Sequence, residues 1–159
     1  PSPIDFDTRK SSGKCVWPEI CNLNTVQLER QGRKFIGMVF NLDPHDEPGS
    51  HWVALAVDLR STPEVVYYFD SMGKPAPKRV KVLVKRIIKQ REAAGHQCEF
   101  ATNAPFVHQR GTTECGLYVI HVLTNMFAGK LTPEDLKTTR ITDGEMFKQR
   151  RRMFRFDTE

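Results

Sequence analysis

Cys115 is followed by Gly116 and then by a nearly continuous apolar run, and Glu114–Ala128 has the composition and spacing of a buried helix starting at the cysteine. A thiol at a helix start faces unpaired backbone N–H groups and the positive end of the helix dipole, both of which favour its anion. Such a cysteine has a lowered pKa and is a nucleophile. Gly116 leaves no side chain beside the sulfur, so a peptide backbone could approach it. A cysteine alone reads equally well as a buried structural residue, so the chemistry depends on partners.

His51 precedes one apolar strand, Trp52–Leu59, and Asp70 follows another, Glu64–Phe69. The break between them, Arg60–Pro63, is short enough for an antiparallel hairpin, which brings those two ends together. Counting outward from a turn near Thr62 places His51 opposite residue 72 or 73, within about two positions of Asp70. A carboxylate there holds the imidazole tautomer and stabilises its protonated form. Gln109 lies six residues before Cys115. A loop of that length could return its amide to the sulfur, where its NH2 and the Cys115 backbone N–H would bind an oxyanion. The chain order His, Asp, Gln, Cys differs from that of papain-like enzymes, where the cysteine comes first.

The elements that must position these residues follow from patterning. Lys34–Leu42 reads as a strand and Asp43–Ser50 as the turn that ends it. Pro77–Arg91 has Val80, Leu83, Val84, Ile87 and Ile88 at helical spacing, with Lys78, Lys81, Lys85 and Lys89 on another face. Cys98–Thr102 reads as a further strand, Phe106–Gln109 as a short extended piece, and Gly129 as a helix stop. Residues up to Arg33 read as polar and irregular, with Trp17 a partly buried core residue. The expected fold is α+β: a central mixed or antiparallel β-sheet packed against a buried helix that starts at Cys115, with flanking helices.

The 159 residues fit one domain spanning positions 1–159. The chain opens on Pro1 rather than Met, which reads as a fragment or processed form that an N-terminal domain could precede. Charged residues at 27% and hydrophobic ones at 39% fit a globular protein, and no apolar run approaches the ~20 residues of a membrane span. The net charge of +5 is concentrated in Lys74–Arg91 and Arg150–Arg155. These segments read chiefly as a solvated helix face and a polar tail, with a weak, non-specific attraction to nucleic acid. Cys15, Cys21, Cys98 and Cys115 read as free thiols in a reducing compartment, because the chain is neither small nor cysteine-dense. Cys15 and Cys21 lack a Cys-x-x-Cys spacing, and His96 with Cys98 is an isolated pair, so neither a metal nor an organic cofactor is expected.

Taken together, His51-Trp52, Phe69-Asp70-Ser71 and Gln109-x5-Cys115-Gly116 resemble the adenain and ubiquitin-like-protein-protease superfamily of cysteine peptidases. Within it, Val39–Asp58, His108–Tyr118 and Arg140–Phe156 are similar to the polyprotein-processing proteases of African swine fever virus and related large DNA viruses. The Arg-Ile-Thr-Asp sequence at 140–143 is not shared by deSUMOylases. The resemblance implies His51, Asp70, Gln109 and Cys115 as catalytic residues, and Trp52, Glu114 and Gly116 as substrate-binding ones. It further implies cleavage after Gly-Gly in a viral structural polyprotein, with Trp52 covering a channel too narrow for side chains. Host cytoplasm and virion would be the setting. The same set would serve a deSUMOylase or deubiquitinase, nuclear in the first case, and it argues against a silent binding module. The chain departs from the swine fever virus enzyme at Asp70, where that enzyme carries Asn.

Overall fold

The computed structural model describes residues 1–154. Five strands, β1 (Ser2–Pro3), β2 (Phe35–Asn41), β3 (Trp52–Asp58), β4 (Glu64–Phe69) and β5 (Cys98–Thr102), lie in one sheet in that order. The three central strands pair antiparallel, and each outer strand is parallel to its neighbour, so the sheet is mixed as expected. Helices α1 (Pro18–Cys21) and α2 (Thr25–Arg30) precede β2, and α3 (Lys78–Ala93) joins β4 to β5. Then follow α4 (Cys115–Phe127), α5 (Asp135–Thr138) and α6 (Asp143–Met153).

The apolar run of β3 is buried on both faces, and alternation sorts it. Val53, Leu55 and Val57 face α3, packing with Val80, Leu83, Val84 and Ile87. Ala54 and Ala56 face α4, with Leu117, Val119, Val122 and Met126. Small residues on that face let the helix carrying Cys115 lie close to the sheet. The hairpin register pairs Ala54 with Phe69 and Asp58 with Val65. Continued towards the strand ends, it sets His51 opposite Met72, one of the two positions expected.

Several expectations are corrected. The first third is not irregular: Asn24 caps α2 by accepting from the Gln27 backbone N–H, and β1 adds an edge strand beside β2. Arg150–Arg152 belong not to a polar tail but to the last turn of α6, where their charge complements the helix dipole. Arg155 and Phe156 lie outside the described residues. A capping box of Thr142 and Glu145 starts α6, a signal present in the sequence. Phe127, placed on the buried helix by its composition, is 62% exposed at the end of α4. Cys15 and Cys21 are not free thiols. The turn into α1 brings their Cα atoms to 6.3 Å, within disulfide reach, and they are bonded.

At the sheet end remote from Asp70, Arg91 is fully buried. Its Nε and Nη2 donate to the two Glu64 carboxylate oxygens at 2.7 and 2.8 Å, and Nη2 also donates to Glu29 at 2.7 Å. This ties the end of α3 to β4. Removing one partner of a buried pair leaves an uncompensated charge, so Glu64→Gln should destabilise the chain by about 3 kcal/mol. A urea midpoint unchanged by the substitution would show the pair to be dispensable. Among the described residues, no helix is long and apolar enough to cross a membrane.

Candidate active site

Each of the four expected catalytic side chains arrives from a different place. His51 sits at the entry to β3, and Asp70 at the exit of β4. Cys115 is the first residue of α4, and Gln109 lies in the loop before it. The His51 Nε2 is 2.8 Å from Asp70 Oδ1, leaving Nδ1 for the sulfur. Asp70 is fully buried, and its Oδ1 also accepts from the Met72 backbone N–H at 2.8 Å. Its main chain is held by Asn103, which accepts from the Asp70 N–H and donates to the Asp70 carbonyl. Nothing in the sequence marked Asn103, because its contact crosses from the end of β5 to that of β4.

The electrostatics follow from this arrangement. The hydrogen bond to Asp70, and next that to Cys115, raise the His51 pKa to about 9 against an opposing effect of burial. The hydrogen bond from His51 lowers the Cys115 pKa against burial, helped by the backbone N–H groups of Trp52 and Gly116. The second free thiol, Cys98, is pushed up to about 11 by burial. Only one of the two is therefore prepared as a nucleophile.

A reaction that needs thiolate and imidazolium together runs between the two pKa values. If these two groups react, activity should be lost at low pH as Cys115 gains a proton, and at high pH as His51 loses one. The upper limb of kcat/KM should lie near pH 9. Because the Asp70 bond is the largest cause raising His51, Asp70→Ala should move that limb to lower pH. A limb that stays in place would exclude His51 as its source.

Gln109 is buried, and its main-chain N–H donates to the Ser71 carbonyl at 2.8 Å. Its side-chain oxygen accepts from Ser71 Oγ at 2.7 Å, and its NH2 donates to the Gly111 carbonyl at 2.9 Å. One amide N–H remains for an external acceptor. The residue before it, His108, is buried and neutral: it accepts the Ile141 N–H at Nδ1, and Nε2 donates to Leu136.

Gly116 makes room for a neighbour in the structure itself. A Cβ there would come within 3.0 and 3.2 Å of the Trp52 six-membered ring, so the missing side chain admits this indole beside the sulfur. Trp52 lines two cavities. One, of about 170 Å³, is bounded by Glu114, Gly116, Leu117 and Arg150, with Glu114 and Arg150 3.7 Å apart. The other, of about 430 Å³, is bounded by Trp17, Val16, Asn41 and His45. Trp17 is thus no core residue: it is 39% exposed and faces the same cavity as Trp52. Its position in a turn-rich, apparently irregular segment hid this in the sequence.

Among the described residues, one group has metal-ligand geometry, Glu29, Glu64 and His96. The Arg91 guanidinium already occupies both carboxylates, which disfavours a cation there.

Residues 32–159 match the Ulp1 protease family, C-terminal catalytic domain. The chain belongs to that family. The relatives it matches include the cysteine protease of a tick isolate of African swine fever virus from Malawi, 34% identical over 119 residues. A pig isolate from Kenya has a protein named SUMO-1 cysteine protease, also 34% identical over 119 residues. Each alignment covers 75% of this chain and 43% of the relative, so the chain spans less than half the length of these relatives. A crystal structure of the African swine fever virus protease superposes with a TM-score of 0.83 at 25% identity, over 98% of this chain and 58% of that one. This Ulp1-family domain therefore has a cysteine-protease fold.

Proposed function

We propose that the chain is the catalytic part of a cysteine endopeptidase that cleaves after Gly-Gly in a viral structural polyprotein. The observation that carries the reading is the Asp70–His51–Cys115 relay, which prepares a thiolate beside an imidazolium at a helix start. The thiolate attacks the scissile carbonyl, and the oxyanion is held by the free Gln109 N–H and the Cys115 backbone N–H. His51 then protonates the leaving amine, and water hydrolyses the thioester with His51 as base. Glycine selection is assigned to Trp52, which packs against Gly116 beside the sulfur and would cover the approach of any substrate side chain. An infected cell's cytoplasm and the virion are the proposed setting.

The name SUMO-1 cysteine protease carried by three matched relatives favours a second reading, in which a folded ubiquitin-like modifier is removed. Such an enzyme draws most of its affinity from the modifier's surface, so a short peptide serves it poorly. The test compares kcat/KM for an eight-residue Gly-Gly peptide with that for a SUMO fusion ending in the same glycines. A preference for the fusion above about 10³-fold, or roughly 4 kcal/mol of transition-state binding, would replace the polyprotein reading with the second.

Weak nucleic-acid binding is also proposed, through Lys78, Lys81, Lys85 and Lys89 along the exposed face of α3. It should fade steeply with salt.

A further inference from the structure

Gln109 can serve an oxyanion only if its NH2, and not its oxygen, faces the sulfur. Ser71 cannot enforce that choice. A hydroxyl donates or accepts, so it would satisfy the amide in either orientation. The Gly111 carbonyl can only accept. With the amide reversed, two acceptor oxygens would stand where a 2.9 Å N–H···O bond now lies. The orientation is therefore decided by where the Gly111 carbonyl is held.

The turn that carries this carbonyl is held by α6. Asp143, its first residue, accepts at Oδ2 from the backbone N–H groups of Arg110 and Gly111, at 3.1 and 3.0 Å. Its Oδ1 accepts from the Tyr118 hydroxyl on α4 at 2.8 Å. One carboxylate thus joins the loop before Cys115 to the helix that Cys115 begins. The neighbouring residues of the same segment brace it further: Arg140 Nε donates to the His108 carbonyl at 2.8 Å, and Ile141 N–H to His108 Nδ1 at 3.1 Å.

We infer that Asp143 is a positioning residue for catalysis: by fixing the Arg110–Gly111 turn it sets the orientation of the Gln109 amide, and with it the oxyanion site. This rests on the proposed thiol-protease reading and names a part of the machinery that lies outside its catalytic set.

If Asp143 acts through Gln109, Asp143→Ala should lower kcat by about 10²-fold with KM little changed, as for loss of a single oxyanion donor. The same substitution in a Gln109→Ala background should add almost nothing, because residues acting as one unit are not additive. Alkylation of Cys115 by iodoacetamide needs no oxyanion site and should keep its rate. Binding of a peptide glycinal should weaken in step with kcat, since addition of the thiol across its C=O places an oxygen where the oxyanion forms. Asp143→Asn keeps an oxygen for both N–H groups and should restore most of the activity. Should the alanine variant not fold, the asparagine variant carries the test: a glycinal affinity as low as that of Gln109→Ala would overturn the inference. Full additivity in the double variant, or alkylation slowed as much as turnover, would overturn it too. A parent whose Cys115 is inert to iodoacetamide would instead sink the catalytic reading itself.

Discussion

Cys115→Ala should abolish turnover, a loss of about 10⁵-fold or more, as when the nucleophile of a covalent hydrolase is removed. The fold should survive, because a small residue replaces a small one at the start of α4 and the helix keeps its sheet-facing contacts through Leu117, Val119 and Val122. The measurement is turnover of a Gly-Gly peptide alongside a thermal melt. Thiol labelling supplies the complementary result. Burial pushes Cys98 up to about 11, whereas His51 draws Cys115 below the ordinary thiol value. Near neutral pH an alkylator should modify Cys115 first and leave Cys98 untouched, since the thiolate is the reacting form. Peptide mapping with Cys98 as the faster site would remove Cys115 from the mechanism.

The second large effect belongs to His51. His51→Ala should lower kcat/KM by about 10⁴-fold, because it removes both the cation that stabilises the thiolate and the acid that protonates the leaving amine. Its labelling behaviour differs from that of Cys115→Ala. The thiol remains, but the largest cause lowering its pKa is gone, so its alkylation rate should fall at neutral pH and recover as pH rises. Asp70→Asn separates orientation from charge. An asparagine oxygen can still accept from His51 in place of Asp70 Oδ1, while its NH2 would occupy the position of Oδ2, a buried atom without a hydrogen-bond partner among the described residues. Activity should therefore fall less for Asp70→Asn than for Asp70→Ala. Equal losses would mean that the charge alone matters.

The hairpin was legible because loop length alone sets how two adjacent strands pair. A break as short as Arg60–Pro63 leaves little freedom, so His51 and Asp70 could be brought together by counting. The helix at Cys115 was equally legible, since an apolar run of that length bounded by Gly129 admits few alternatives. The N-terminal third was not. Its elements are short, and α1 has four residues, too few to impose a period on the sequence. The disulfide escaped for a related reason: pairing depends on how the turn into α1 folds, which spacing does not report. Helix α6 escaped although its capping box was present, because its run of arginines carries little apolar periodicity.

By itself, the sequence determined the β3–β4 hairpin and the helix at Cys115, their α+β arrangement, and four residues whose types match one chemistry. These are consequences of local patterning, where neighbours in the chain are neighbours in space. Only the tertiary structure decided that Trp17 shares a cavity with Trp52, that Asn103 braces Asp70, and that Asp143 holds the loop before Cys115. Those contacts join segments far apart in the chain. They depend on hydrogen bonds whose partners become identifiable only when sheet and helices have packed, and polar side chains such as Ser71, Asn103 and Asp143 carry no periodicity that would reveal a partner beforehand.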